Sequence, residues 1–338
     1  MYVKDLRKII KEYSRKDLEQ LVVELYKQIP KAKREDHQTD ELIHNLKEGK
    51  VVKKKAIEKP SIDQLKTEIL DFIDLAKEQY YVKPNTIVPK KQRSNWRFVV
   101  INFLKQLDLY TSSDSGYAIA TELYFDLYEI LSQATNYWVF VSDEPFSAIN
   151  ISQSEFIEKI CARLFHATYH EKDIEKVLTL ILENPTDYMI LSSQLLKALL
   201  KYLPTNPVKE SALKIVDRLI KEKQTSFNGA SKFSNEYYHL EGNLKNLVSF
   251  SLEVQINLNQ IDEGIQYFQK YYPGKDREIT LYVLLGILEN HELYEPYITT
   301  YEAASKRNIN PRENLKSKYH FYKKIGKIDS SAYFKEHY

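Results

Sequence analysis

The sequence predicts an all-α protein built of stacked helical hairpins. Three observations predict it. Apolar residues recur at helical spacing, several times behind a helix-start signal, which is the primary mark of amphipathic helix. Period-two alternation is nearly absent, YWVFV at 137–141 being the one strand-like run and short enough to be a turn or loop. Only 8 glycines occur in 338 residues, and no two stand two positions apart. Tight hairpins and phosphate-cradling loops both use glycine's free backbone, so P-loop and dinucleotide fingerprints are excluded.

The elements follow in order. Ser14 and Asp17 form a capping box, in which each side chain satisfies an orphan amide at a helix start. Leu18, Leu21, Val22, Leu25, Tyr26 and Ile29 then make one stripe. A short helix is expected at Asp40–Leu46, followed by a charged linker up to Pro60. Ser61 and Gln64 open the next helix, with Leu65, Ile69, Phe72, Ile73, Ala76 and Tyr80 as its stripe. Pro84 and Pro89 keep the following chain extended. Ser94 is read as the N-cap of a helix whose stripe is Trp96, Val99, Val100, Phe103, Leu104 and Leu107. Ser152 and Glu155 form a further box before Phe156, Ile157, Ile160, Cys161, Leu164 and Phe165. Residues 190–203 and 209–221 read as two more helices. The organisation expected is an N-terminal hairpin and linker (1–55), a central region (61–150) with a basic arm at 82–97, and a helical-repeat region (151–338).

The repeat shows in QIDEG at 260–264, LYEPY at 293–297 and KIDSS at 327–331. Their anchors Ile261, Tyr294 and Ile328 are 33 and 34 residues apart, and Phe268, Tyr301 and Phe334 follow seven, seven and six residues later. Ile174 and Val208 are also 34 apart. A period near 34 is that of a two-helix repeat. Over about 245–335 the chain resembles the tetratricopeptide family, in NQIDEGIQYFQKYY and in the Leu285–Gly286 pair. Gly264 stands where that family usually has alanine, and no tryptophan opens a repeat. The resemblance implies an α-solenoid with a concave surface and no particular ligand. The stretch LRKIIKEYSRKDLEQLVVELYKQ also resembles the opening of a small uncharacterised bacterial helical family, which implies no function.

Composition bounds the rest. With 43% hydrophobic and 28% charged residues the chain is of soluble globular type, and its net charge of +2 implies no polyanionic partner by itself. Charges interrupt MYVKDLRKIIKEY too often for a signal peptide, no apolar run approaches a membrane span, and Cys161 is the single cysteine. The expectation is a cytoplasmic chain without internal disulfides and with no membrane contact.

The distribution of charge is informative. From Gln79 to Leu107 there are six basic residues and no acid; from Gln106 to Glu158 there are nine acids and no base. Lys83, Lys90, Lys91, Arg93 and Arg97 lie with Trp96 in the first segment, as candidates for an anion or nucleic-acid site. Cations at a helix start oppose the macrodipole, whereas free amides there favour anions. The alternative is that the arm neutralises the acidic segment internally, the commoner fate of charge clusters. Trp96 is expected in the helix stripe.

Other candidates are weaker. His166 and His170 have the i, i+4 spacing of zinc ligands, but Ala167 and Thr168 stand where HExxH would need its glutamate. A helix end with two polar histidines is the simpler reading. Cys161 on an apolar stripe is a packing residue. Asp143 and Glu144 before Pro145 form a turn leading into a helix. No catalytic, metal or cofactor motif is present, so the expected role is non-enzymatic binding of a protein or peptide along a groove. A nucleic-acid or nucleotide ligand for the arm is the alternative.

Overall fold

The computed structural model describes residues 6, 8–30, 33, 34, 39, 40, 43, 59–188 and 190–326. All regular structure among them is helical, with no strand, so the all-α fold is as the periodicity predicts. They fall into two compact units, one within Met1–Lys59 and the other within Pro60–Tyr338.

In the first unit a 3₁₀ turn at Ile10–Glu12 precedes α1 (Arg15–Gln28). Its capping box is formed as the sequence implies, with the Ser14 hydroxyl accepting from Asp17 N and the Asp17 carboxylate from Ser14 N. None of its residues is buried. Asp40 and Ile43 are helical, while the rest of the expected 40–46 helix and the linker lie largely outside the described residues.

The second unit has one continuous hydrophobic core running from Leu65 to Leu315. Its elements are α2 (Ile62–Lys77), α3 (Lys90–Arg93), α4 (Trp96–Leu107), α5 (Tyr117–Asn136), α6 (Pro145–Ala148), α7 (Gln153–Leu164), α8 (Glu171–Glu183), α9 (Ser192–Leu200), α10 (Asn206–Gly229), α11 (Asn235–Asn257), α12 (Ile261–Tyr271), α13 (Arg277–Asn290), α14 (Tyr294–Lys306) and α15 (Glu313–Gly326). Many sequence neighbours pack on one another, α10 on α11, α11 on α12, α13 on α14 and α14 on α15, while α5 receives α2, α4, α6 and α7. The predicted stripes are the buried faces: Leu65, Ile69, Phe72, Ile73 and Ala76 in α2, and Phe156, Ile157, Ile160 and Cys161 in α7.

Two cap predictions differ. Ser61 precedes α2, but its side chain makes no cap bond, and Gln64 bonds forward to Glu68. Ser94 is not the N-cap of α4. It closes the short α3 with φ −73° and ψ −12°, and the actual preceding residue, Asn95, is also in the right-handed region. An N-cap side chain needs an extended backbone to reach the next turn's amides, and α3 removes it. The chain before α3 is likewise a tied turn and not extended. Asn85 donates to the carbonyls of Tyr80 and Lys83 and accepts from Val88 N.

The shortage of glycine has a structural counterpart at the helix ends. Five helices close with a left-handed residue that is not glycine: Gln79, Asn150, Asn259, Glu292 and Asn308, with φ between 56° and 64°. At Asn259 the N–H bonds Ile256 O at 3.0 Å and the next N–H bonds Gln255 O at 2.9 Å; Glu292 and Leu293 repeat this pattern 33 residues later. These are Schellman closures, which glycine usually fills.

The same closure precedes both α12 and α14. Ile261 and Tyr294 are equivalent, each the first residue of a hairpin's second helix. The inward anchors, however, are Phe268 and Tyr301, both buried, whereas Ile261 is half-buried and Tyr294 is 40% exposed. A helix's first residue sits at the open mouth of the hairpin; two turns in, the side chain faces the partner helix. The third anchor, Ile328, lies outside the described residues. At Gly264 a Cβ would meet Leu252 Cδ1 at 2.9 Å, so α12 approaches α11 closely there.

The most connected polar group in the core is Gln153, which is fully buried. Its Nε2 lies 3.0 Å from Tyr128 Oη, 3.1 Å from Ser132 Oγ and 3.0 Å from Pro185 O, and its Oε1 accepts from Asp187 N at 2.8 Å. The side chain thereby joins α7 to α5 and to the turn before α9.

Two measurements check this account. Gln153→Ala strands Asp187 N and Pro185 O, and urea denaturation should show a loss of about 2–4 kcal/mol. Glu292→Gly relieves a left-handed non-glycine residue and should raise stability by roughly 0.5–1 kcal/mol, with Glu292→Val lowering it.

Candidate functional site

The basic arm is built on α3 and the start of α4. Lys90, Lys91 and Arg93 lie on α3, and Arg97 on the first turn of α4. Arg93 is half-buried and turned inward, donating to Val88 O at 3.1 Å and Asn85 O at 3.2 Å. It holds the turn's carbonyls and is a structural residue. Lys83, Lys90, Lys91 and Arg97 are exposed, and none has a salt bridge among the described residues. Arg97 lies over the exposed ring of Phe98 at 4.8 Å.

The acidic segment finds its partners elsewhere. Asp108 pairs with Lys159 at 3.2 Å, Glu122 with Lys176, and Glu158 with Lys201 at 2.6 Å. These cations belong to α7, α8 and the end of α9, the neighbours in the helical stack. Asp126 on α5 is half-buried, and burial raises its pKa above the usual carboxylate range; Glu129, more exposed, is raised by the same cause.

Trp96 is 2% exposed and stacks on Phe140 with ring centroids 4.1 Å apart. Phe140 in turn contacts Phe72 and Tyr81. Trp96 is therefore a core residue and reaches no ligand. Its partner belongs to the YWVFV loop, which splits by side: Val139 and Phe140 are buried, while Tyr137, Trp138 and Val141 are exposed, Trp138 at 78%. The loop and Val82 line one hollow of about 350 Å³, together with Asn136, Ser142 and Asp143. Exposed Ile87 lies on the arm between Lys83 and Lys90. The arm and the loop thus carry four exposed cations without an ion pair among the described residues, and exposed aromatic and aliphatic side chains.

Trp138 is the functional candidate that the sequence reading misses. The available signal was an apolar run too short for a helix, set between a helix end and the Ser142–Pro145 turn.

His166 and His170 are not on one helical face. α7 ends at Leu164, and both lie in the loop before α8. His166 Nδ1 is 3.1 Å from Arg163 O, and His170 Nε2 is 3.1 Å from Thr168 Oγ1. No group of three or more His, Cys, Asp or Glu among the described residues is arranged to hold a metal ion. Cys161 is fully buried, and burial pushes its thiol pKa well up, which disfavours the reactive thiolate. Asp143 and Glu144 lead into α6 as the turn reading has it. No described helix is long and apolar enough to cross a membrane.

No family model, curated protein or solved structure matches the chain. The two tryptophans offer a direct check of the geometry. Acrylamide should quench Trp138 readily and Trp96 poorly, so Trp138→Phe should remove most of the quenchable emission. A strongly quenched Trp138→Phe variant would contradict the buried stack on Phe140.

Proposed function

We propose that this protein is a non-enzymatic helical-hairpin binding protein that docks an acidic protein segment on the surface formed by 83–98 and 137–141. The observation that carries the reading is the set of exposed cations Lys83, Lys90, Lys91 and Arg97, unpaired among the described residues although the sequence is rich in acids. Cations left without internal partners lose no ion pair on meeting an anionic ligand, and they steer its approach. Exposed Ile87, Val141, Phe98, Tyr137 and Trp138 supply the apolar area that a peptide's side chains bury, with aromatics as anchors. Aliphatic residues among them favour a protein ligand, since nucleic-acid bases gain chiefly from flat rings.

A second reading is single-stranded nucleic acid. It is favoured by the Arg97–Phe98 stack and by exposed Trp138, which together offer phosphate contacts and a base platform.

Fluorescence anisotropy distinguishes the two. A labelled peptide of alternating glutamate and leucine or phenylalanine should bind near physiological salt. Lys90→Glu combined with Lys91→Glu, and separately Trp138→Ala, should each weaken it about tenfold. Tight binding of a single-stranded oligonucleotide instead, with log affinity falling linearly in log salt, selects the second reading. If neither ligand binds, or both variants bind as the parent does, the proposal fails.

A further inference from the structure

A separate cavity lies in the C-terminal hairpins and shares no residue with the basic arm. It is formed by the end of α12, the turn after it, the first two turns of α13 and the end of α14, and has a volume of about 350 Å³. Its walls are Leu281, Leu284 and Ala304, all buried, with half-buried Tyr272 and Ile309 beside them. Arg277 and Arg307 stand at its rim, and no carboxylate lines it.

The nearby carboxylates Asp276 and Glu278 have other partners. Asp276 caps α13, accepting from Glu278 N at 2.8 Å and Ile279 N at 3.2 Å. Glu278 is held by Arg312, whose Nε donates to it at 2.7 Å. Arg277 and Arg307 are exposed and make no side-chain hydrogen bond or salt bridge among the described residues. Arg307 closes α14, where a cation complements the helix dipole, so its charge is tolerated without a carboxylate. A cavity with an apolar floor and two exposed guanidinium groups at its mouth is complementary to a molecule with an apolar body and an anionic head. Guanidinium groups bind carboxylate and phosphate through paired N–H donors, and a volume of this size lies at the lower end of small-ligand sites.

We propose that this cavity binds a small amphiphilic anion, with a carboxylate or phosphate held by Arg277 and Arg307 and an apolar group against Leu281, Leu284 and Ala304. The carboxylate and phosphate forms share this chemistry, and the choice of probes separates them. Octanoate, hexyl phosphate, the neutral octanol and inorganic phosphate are titrated into the full chain by calorimetry, with thermal melting in parallel. Octanoate or hexyl phosphate should bind and raise the melting temperature, and the tighter of the two names the head group. Octanol and inorganic phosphate should each bind at least about tenfold more weakly, since each lacks half of the recognition. The double variant Arg277→Gln with Arg307→Gln should lose about tenfold or more in affinity while melting normally without ligand. Ala303→Trp, at an exposed lining position, should block the mouth and abolish binding with the core untouched. The proposal is overturned if octanol binds as well as octanoate, if inorganic phosphate binds as well as hexyl phosphate, if the arginine variant keeps its affinity, or if neither anion binds.

Discussion

Helix α5 is enclosed by α2, α4, α6 and α7, and the rest of the Pro60–Tyr338 unit depends on satisfying what it buries. Leucine, isoleucine and phenylalanine fill most of its surface, but Tyr117, Thr121, Tyr124, Tyr128 and Ser132 take hydroxyls inward with them. A buried hydroxyl without a partner costs about 1–3 kcal/mol. The fold answers each one. Tyr117 donates to Arg163 O at 2.8 Å, Tyr124 to the Asp108 carboxylate, and Tyr128 and Ser132 meet Gln153. Arg163 completes the set: its Nε donates to Thr121 at 3.2 Å, its other nitrogens to the carbonyls of Leu107 and Tyr110, and its plane lies over the rings of Tyr117 and Tyr124. Two side chains of α7, Gln153 and Arg163, thereby fix α4, α5 and the turn before α9 in one arrangement.

That arrangement also decides which aromatic residues remain at the surface. Phe140 enters the core to stack on Trp96, and its chain neighbours Trp138 and Val141 are consequently turned outward. The arm is anchored by the same contact, because Trp96 opens α4 directly after the α3 cations. The arm and the loop are therefore tied together through the core by one aromatic stack. Arg93 is the exception among the cations, its guanidinium spent on carbonyls that the tight 85–88 turn leaves without amide partners.

Surface charge in the remainder of the unit follows the stacking. Asp108, Glu122 and Glu158 each meet a lysine more than forty residues later, and Glu175 and Glu183 meet Arg218 and Lys223 in the same manner. Exposed pairs of this kind contribute little each, about 0–1 kcal/mol. Their consistent direction, from one helix to a following one, reflects neighbours in the stack. The carboxylates that burial penalises, Asp126 and Glu129, have raised folded pKa values, so they oppose folding at neutral pH and relax as pH falls through those values. Glu278 is the opposite case: its bonds to Arg312 lower its pKa, and its stabilisation is lost as pH falls.

Helices α5 and α8 were not read from the sequence, and the α1 stripe is not buried; what the sequence by itself determined is the all-α class, the buried faces of α2, α4 and α7, the capping boxes at Ser14 and Ser152, and the burial of Cys161 and Trp96. All of these rest on contacts within one or two turns, where spacing of three or four residues is the physical cause. It also carried the 33-residue register of α12 and α14, although it placed the inward residue at Ile261 and Tyr294 instead of Phe268 and Tyr301. Only the tertiary structure decided the partners. Whether Lys90 met Glu122 or solvent, whether Gln153 was exposed or central, and which side of YWVFV faced out all depend on residues 20 to 60 positions away. Helical periodicity carries no information about such distant partners. The same holds for the cavity lined by Arg277 and Arg307, where Asp276 is bonded by two amides and Glu278 by Arg312.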